Sequence, residues 1–283
     1  MGSFPTPSPS PFPSPSPSPS PEVSLLDSVV GRLRRAGCVF AEDEAALIFS
    51  VARDRRDVDG MVRERVRGLP LEQVVGFAEF CGLRVGVSAG VFVPRRRTEF
   101  LVRQALGVLP ERGVVLDLCC GSGALGLAVA HGGPVCELHA ADIDPVAVDC
   151  ARGNLAGVGG QVYVSDLYDG LPARLRGRVD VLVANAPYVP SAEIGLLPAE
   201  AREYEPQAAL DGGSDGVEVQ RRVAAGARAW LAPGGRLLIE TGERQAERTV
   251  RAMADGGLAA RVEECEELGA TVVIGTAAPQ EPS

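Results

Sequence analysis

The tetrapeptide Asn185-Ala186-Pro187-Tyr188 sets an amide, a carbonyl and an aromatic ring directly behind the apolar run Val181-Leu-Val-Ala. The residue before a proline is pushed into extended geometry, which points the main-chain carbonyl of Ala186 outward. With the side-chain oxygen of Asn185 it offers two acceptors in a fixed arrangement, and an NH2 group has two hydrogens to give. Once both hydrogens are taken, the nitrogen lone pair is aimed at whatever electrophile stands opposite. An amide or aromatic amine is a poor nucleophile because its lone pair is delocalised, so the catalysis implied is positioning and electrostatics. Tyr188 would cover the planar group by stacking. Taken alone, the same four residues also read as an ordinary turn.

Composition narrows the alternatives. The chain has 283 residues, a net charge of −9 and 46% hydrophobic residues, enough for one large domain or two small ones. All 28 Lys and Arg are Arg, and the two His are His131 and His139. Schiff-base chemistry and P-loop phosphate binding both need Lys and are excluded. Both His are expected at the surface or at strand ends, not in catalysis. The acidic balance disfavours nucleic acid as a partner, although Arg95, Arg96 and Arg97 form a local basic patch. Seven Cys without a CxxC pair fit reduced thiols in a cytoplasmic protein better than a disulfide framework. No uncharged apolar stretch approaches the about 18 residues of a membrane span.

A second chemical signal is Val114-Val-Leu-Asp-Leu-Cys-Cys-Gly-Ser-Gly-Ala-Leu-Gly126, with Asp142 lying 21 residues beyond Gly121. Literally this is the GxGxxG dinucleotide fingerprint. However, Asp117 stands at the strand end before the glycines, where a carboxylate would repel a pyrophosphate. It suits a ligand with an amino group and a sulfonium cation, which S-adenosylmethionine has. Small residues let the backbone approach such a ligand. The candidate cofactor contacts are Asp117, Cys119, Gly121, Ser122 and Gly123, then Asp142 on the ribose hydroxyls with Ile143 beside it. Asp166 at the adenine amino group, Leu167 on the adenine ring and Asn185 complete the set. No metal site is expected.

These residues need elements to position them. Residues 1–22 alternate Pro and mostly Ser, and are expected to be a disordered tail. Residues 23–75 read as helical, with Leu25, Leu26, Val29, Val30 and Leu33 at helical spacing. They form a small bundle taken as a substrate-recognition domain. Residues 76–97 read as a hairpin linker, 98–276 as the catalytic domain and 277–283 as a disordered end. In the catalytic domain, strand patterns at 113–118, 135–141, 161–164, 179–184 and 235–240 alternate with helical ones, which means a parallel sheet covered on both faces. The runs 260–265 and 270–275 are too close for a parallel crossover and must form an antiparallel hairpin. The fold class is therefore α/β, a Rossmann-like, seven-stranded class I methyltransferase sheet preceded by a helical bundle.

Over roughly residues 24–276 the chain resembles the HemK/PrmC group of protein-(glutamine-N5) methyltransferases. The motifs are Arg67-Gly-Leu-Pro-Leu-Glu-Gln-Val-Val-Gly-Phe-Ala-Glu-Phe-Cys-Gly, Val93-Pro-Arg-Arg-Arg-Thr-Glu99, the Asp117–Gly123 loop, Asp142-Ile-Asp-Pro, Asn185-Ala-Pro-Tyr188 and Glu205-Pro-Gln-Ala-Ala-Leu-Asp-Gly-Gly. The resemblance implies a monomeric enzyme that uses S-adenosylmethionine to methylate glutamine in a protein, a release factor Gly-Gly-Gln loop or another translation protein. Its site residues would be Asn185, Ala186, Pro187 and Tyr188. The chain departs from the family pattern at Ala186, where the family has Pro, and at Cys119, where it usually has Gly. Methylation of adenine N6 in DNA or RNA, a small-molecule N-methyltransferase and a binding module that lost catalysis stay open as alternatives.

Overall fold

The computed structural model describes residues 21–278; the Pro/Ser stretch over 1–20 and the last residues, 279–283, lie outside it. The chain divides into two compact units between Val66 and Arg67. The first carries α1 (Pro21–Arg35), α2 (Ala41–Val51) and α3 (Arg55–Val66), and α1 begins two residues ahead of the expected helical start. Val29, Leu33, Ala45, Ile48, Val58 and Val62 form its core. Arg65 on α3 grips the Glu44 carboxylate of α2 through Nε (2.7 Å) and a second guanidinium nitrogen (3.1 Å). This pairing lets two buried charges coexist with apolar neighbours.

The second unit opens with α4 (Leu71–Val75) and the hairpin β1 (Phe77–Phe80) and β2 (Leu83–Gly86), then α5 (Glu99–Val108). It continues as β3 (Gly113–Leu118), α6 (Ala124–Gly132), β4 (Val135–Asp142), α7 (Pro145–Leu155), β5 (Gln161–Val164) and β6 (Val179–Ala184). Two short helices follow, α8 (Ala199–Tyr204) and α9 (Gln207–Leu210). The unit closes with α10 (Glu218–Ala227), β7 (Leu231–Thr241), α11 (Ala246–Asp255), β8 (Leu258–Cys265) and β9 (Ala270–Ala277).

The seven strands form one sheet in the order β5-β4-β3-β6-β7-β9-β8. The first five are parallel and β9 is antiparallel to both β7 and β8, as the short Cys265–Ala270 connection requires. Every residue of β3 is buried, which explains its continuous apolar reading. Alternate side chains feed two cores. Val115, Val181, Val183 and Leu238 pack with α5 and α6; Leu116, Leu118, Leu182, Leu237 and Ile239 pack with α10 and α11. From β3 the chain builds outward through β4 to β5, then returns to β6 on its other side. This reversal opens a crevice outside the carboxyl ends of β3 and β6, where open α/β sheets bind ligands.

One expectation needs correction. His131 sits exposed at the end of α6, but His139 lies inside β4 and is fully enclosed. Its ring stacks on Tyr163 and its Nδ1 lies 3.1 Å from the Tyr163 hydroxyl. Burial lowers its pKa, so it is a neutral core residue held by a local hydrogen bond. Among the described residues no helix is long and apolar enough to cross a membrane.

Leu116 and Leu182 are register partners at the centre of the sheet, and both are fully buried. Replacing Leu182 with Ala should cost about 2–5 kcal/mol in urea unfolding, because the rigid strands cannot collapse into the cavity. A loss below about 1 kcal/mol would contradict this packing.

Candidate active site

A cavity lies at the crevice, walled by the loop after β3, the ends of β4 and β6 and the chain following α8. Its free space, counting the open mouth, is about 1150 Å³. The loop is shaped by three left-handed residues, Cys119 (φ +55°), Gly121 (φ +54°) and Gly123 (φ +77°). Cys119 tolerates this although it has a side chain, and it forms part of the wall. The amide of Gly121 donates to Asp142 Oδ2 (2.8 Å), and Asp144 N donates to Oδ1 (3.0 Å). Asp142 thus ties the loop to β4 while facing the cavity, and burial raises its pKa.

Asp117 is placed differently from the expectation of direct contact. It lies beneath the loop, fully enclosed, and is not part of the cavity wall. Gly126 N donates to its Oδ2 (2.9 Å), while Oδ1 has no hydrogen-bond partner. Burial raises its pKa to about 7, and the Gly126 hydrogen bond opposes the rise. Gly123 also lies off the wall, packed towards Ala151 and Leu155 of α7.

The wall further includes Ser122, Ile143, Asp166, Leu167, Asn185 and Pro187. Asp166 is bound through both oxygens, at 2.8 Å each, by Arg222 of α10. Leu167 takes φ +50°, held by the Ser165 hydroxyl, which donates to its carbonyl (2.8 Å). Ile143 stays 56% exposed, an apolar surface at the cavity mouth. Ala186 is fully buried, and neither it nor Tyr188 lines the cavity.

Tyr188 is instead pinned from behind. Its hydroxyl donates to Glu240 Oε1 on β7 (3.2 Å), its carbonyl accepts from Gln245 Nε2 (2.7 Å), and the Arg97 guanidinium lies 5.4 Å from its ring centre. Asn185 Nδ2 donates to Thr98 Oγ1 (3.4 Å). Arg97 and Thr98 therefore reach the Asn-Ala-Pro-Tyr segment from the turn before α5. Beside them, Arg95 clamps both carboxylate oxygens of the buried Glu205 (2.6 Å), which also accepts from Val93 N (3.2 Å). Gly212 and Gly216 brace the same segment. A Cβ at Gly212 would stand 2.7 Å from Tyr188 Cα, and one at Gly216 2.6 Å from the Tyr188 carbonyl.

Thr98, Arg97, Glu205, Glu240 and Gln245 were not singled out as site residues from the sequence, and their partners lie far along the chain. The signal that could have found them was the pair of Gly after Asp211 and the Thr98-Glu99 end of the arginine-rich motif. The donor set fits an adenosine ligand that carries positive charge. Carboxylates dominate, the buried Asp117 beneath the loop keeps one oxygen orphaned, and the single Arg on the wall, Arg222, is already paired with Asp166. A pyrophosphate does not fit it.

Residues 83–197 match the methyltransferase small domain family. The release factor glutamine methyltransferase of Mycolicibacterium smegmatis is 40% identical over 200 residues, 70% of each chain. That of Bifidobacterium longum is 32% identical over 272 residues, 83% of this chain and 92% of its own length. That of Geobacter sulfurreducens is 39% identical, and the chain spans 66% of its length. A methyltransferase from Pyrococcus furiosus shares the fold, with a TM-score of 0.53 and 16% identity over 70% of this chain and 90% of that one. On the identity and reach of these matches, the chain belongs to the release factor glutamine methyltransferase family.

Proposed function

We infer that this protein methylates the side-chain amide nitrogen of a glutamine in a peptide chain release factor, with S-adenosylmethionine as the methyl donor. The relatives named above act on that substrate by their names. The observation that carries the reading is Asn185 on the cavity wall, its NH2 engaged by Thr98 and its carbonyl oxygen left as an acceptor.

When bound, S-adenosylmethionine supplies a methyl group made electrophilic by a sulfonium cation. The chain's residues hold and aim. Asp142 would take the ribose hydroxyls, Ile143 and Leu167 would cover the adenine faces, and Asp166, oriented by Arg222, would accept from its amino group. When ionised, Asp117 places a negative charge below the loop and favours a cation above it. For the acceptor, Asn185 Oδ1 takes an N–H hydrogen of the glutamine amide and helps to turn its lone pair towards the donor, whereas the Ala186 carbonyl, expected as the second acceptor, belongs to a residue buried behind the wall. The surplus proton leaves to water. No His lines the cavity, so positioning and electrostatics carry the rate.

Label transfer from the cofactor to purified release factor is the direct test, with an adenine-containing oligonucleotide as the competing acceptor. Asn185→Ala should lower kcat about 10²–10³-fold, the scale of removing one preorganised polar group, while calorimetry finds cofactor affinity within about threefold of wild type. Label on the oligonucleotide but not on the protein would replace this reading with the adenine one.

Asp117 predicts a pH signature. Its folded pKa of about 7 lies above its ordinary 3.8, so in the ligand-free protein its stabilising contribution is complete below 3.8 and is lost as pH rises through about 7. Ligand binding has the opposite sign, because the ionised carboxylate attracts the cation. Cofactor affinity should therefore rise between about pH 5.5 and about pH 7.5, below the range where α-amino groups titrate. Asp117→Asn should flatten that slope in calorimetry.

A further inference from the structure

We propose that Asn154, which lies outside the cavity, is a positioning residue for the cofactor: it fixes the glycine-rich loop through the Ser122 carbonyl and anchors that loop to the β1–β2 hairpin. The inference concerns cofactor binding and holds whichever group accepts the methyl. Asn154 stands in the last turn of α7 and is half-buried. Its Oδ1 accepts from Gly86 N (2.8 Å) at the end of β2. Its Nδ2 donates to Gly86 O (2.8 Å) and to Ser122 O (2.8 Å). One side chain thus ties together three pieces of chain, with Gly86 68 residues away and Ser122 32 residues away.

Counting protons fixes this amide. A backbone N–H only donates and a backbone carbonyl only accepts. The Gly86 amide therefore decides which end of the Asn154 side chain is oxygen, a choice that heavy-atom positions alone leave open. The NH2 has two hydrogens, and the Gly86 and Ser122 carbonyls take one each. Ser122 lines the cavity and Asn154 stands behind it. The peptide between Ser122 and Gly123 is held on one side by Asn154 and on the other by the Cys120 carbonyl, which accepts from Gly123 N (2.8 Å). Gly121 and Gly123, on either side of Ser122, take left-handed conformations, and glycines left free reach many others. Holding the loop in shape before the ligand arrives removes an ordering cost from binding. At its other end the bridge reaches the hairpin, whose Phe80 lines the same cavity. The contact also explains the residue type at 86. Gly86 is not left-handed, yet a Cβ there would stand 2.9 Å from Asn154 Oδ1.

A residue that merely docked the hairpin would lower the unfolding temperature and leave the cofactor affinity of the folded protein unchanged. Asn154→Ala should instead weaken S-adenosylmethionine about fivefold to thirtyfold in calorimetry, the scale of losing a hydrogen bond and leaving its partner unpaired. Its kcat at saturating cofactor should stay within about threefold of wild type. Asn154→Asp keeps the acceptor for Gly86 N but sets an oxygen against both carbonyls, so it should weaken binding at least as much. Gly86→Ala should also weaken binding by displacing the Asn154 side chain. Added to Asn154→Ala it should cost less than about twofold more, because both changes break one bridge. In the cofactor-free protein, NMR should find the Gly123 amide exchanging about tenfold faster in Asn154→Ala, as the loop opens more often. Unchanged affinity in Asn154→Ala or Asn154→Asp, losses that add in the double variant, or unchanged Gly123 exchange would each overturn the proposal. Should Asn154→Ala fail to fold, Gly86→Ala decides, and unchanged affinity there overturns it equally. Calorimetry needs no methyl acceptor, so if wild type binds the cofactor but labels no glutamine, the glutamine reading fails while the affinities still decide the role of Asn154.

Discussion

Burial of negative charge at the carboxyl edge of the sheet governs this molecule. Strands β3 and β7 carry a buried carboxylate on their penultimate residue, Asp117 and Glu240, and β4 ends on the half-buried carboxylate of Asp142. Burial raises the pKa of all three. A carboxylate moved out of water needs compensation, and each finds it differently. Asp142 takes two backbone amides, Asp117 takes one and keeps an oxygen orphaned, and Glu240 takes a phenol and a guanidinium. The compensation organises the loops. The glycine-rich turn is tied down because Asp142 and Asp117 need donors, and the segment after β6 is tied down because Glu240 does.

The all-Arg composition suits this arrangement. Arg95 on Glu205, Arg97 on Glu240 and Arg222 on Asp166 each bring a guanidinium from one loop or helix onto an acid from another. A planar fork of donors can span two oxygens and stack on a ring at once. Arg97 pairs with Glu240 while lying near Tyr188, and Arg95 holds Glu205 while lying 4.9 Å from the Phe92 ring centre. A Lys would supply the charge but neither the fork nor the stacking. The arginine-rich segment at 95–97, which reads in isolation as a basic patch for nucleic acid, thus has two of its three guanidinium groups engaged with the protein's own acids.

Much of the fold was legible because it depends on local pattern. The five parallel strands and the closing hairpin follow from runs of Val, Leu and Ala with helical spacing between them, and from a connection too short to cross over. The loop at 119–123 was legible because close backbone approach leaves a compositional trace in small residues. The short helices α8 and α9 were not anticipated. They span six and four residues, too few to show a period. His139 was misplaced because a lone polar residue in a strand reads as an end, until Tyr163 on the neighbouring strand β5, 24 residues later, supplies its partner.

The sequence by itself determined the order of elements, the closing antiparallel hairpin and the identity of the tetrapeptide at 185–188, since these rest on neighbours in the chain. Tertiary structure alone decided how that tetrapeptide is held. Thr98 meets Asn185 across 87 residues and Glu240 meets Tyr188 across 52. It also withdrew Asp117 and Tyr188 from the cavity wall, though both stand in the motifs that mark the site. Periodicity and turn chemistry act over a few residues and leave their mark in sequence. The pairing of buried charges is settled only when desolvation forces each acid to take whichever donor the fold has brought within reach.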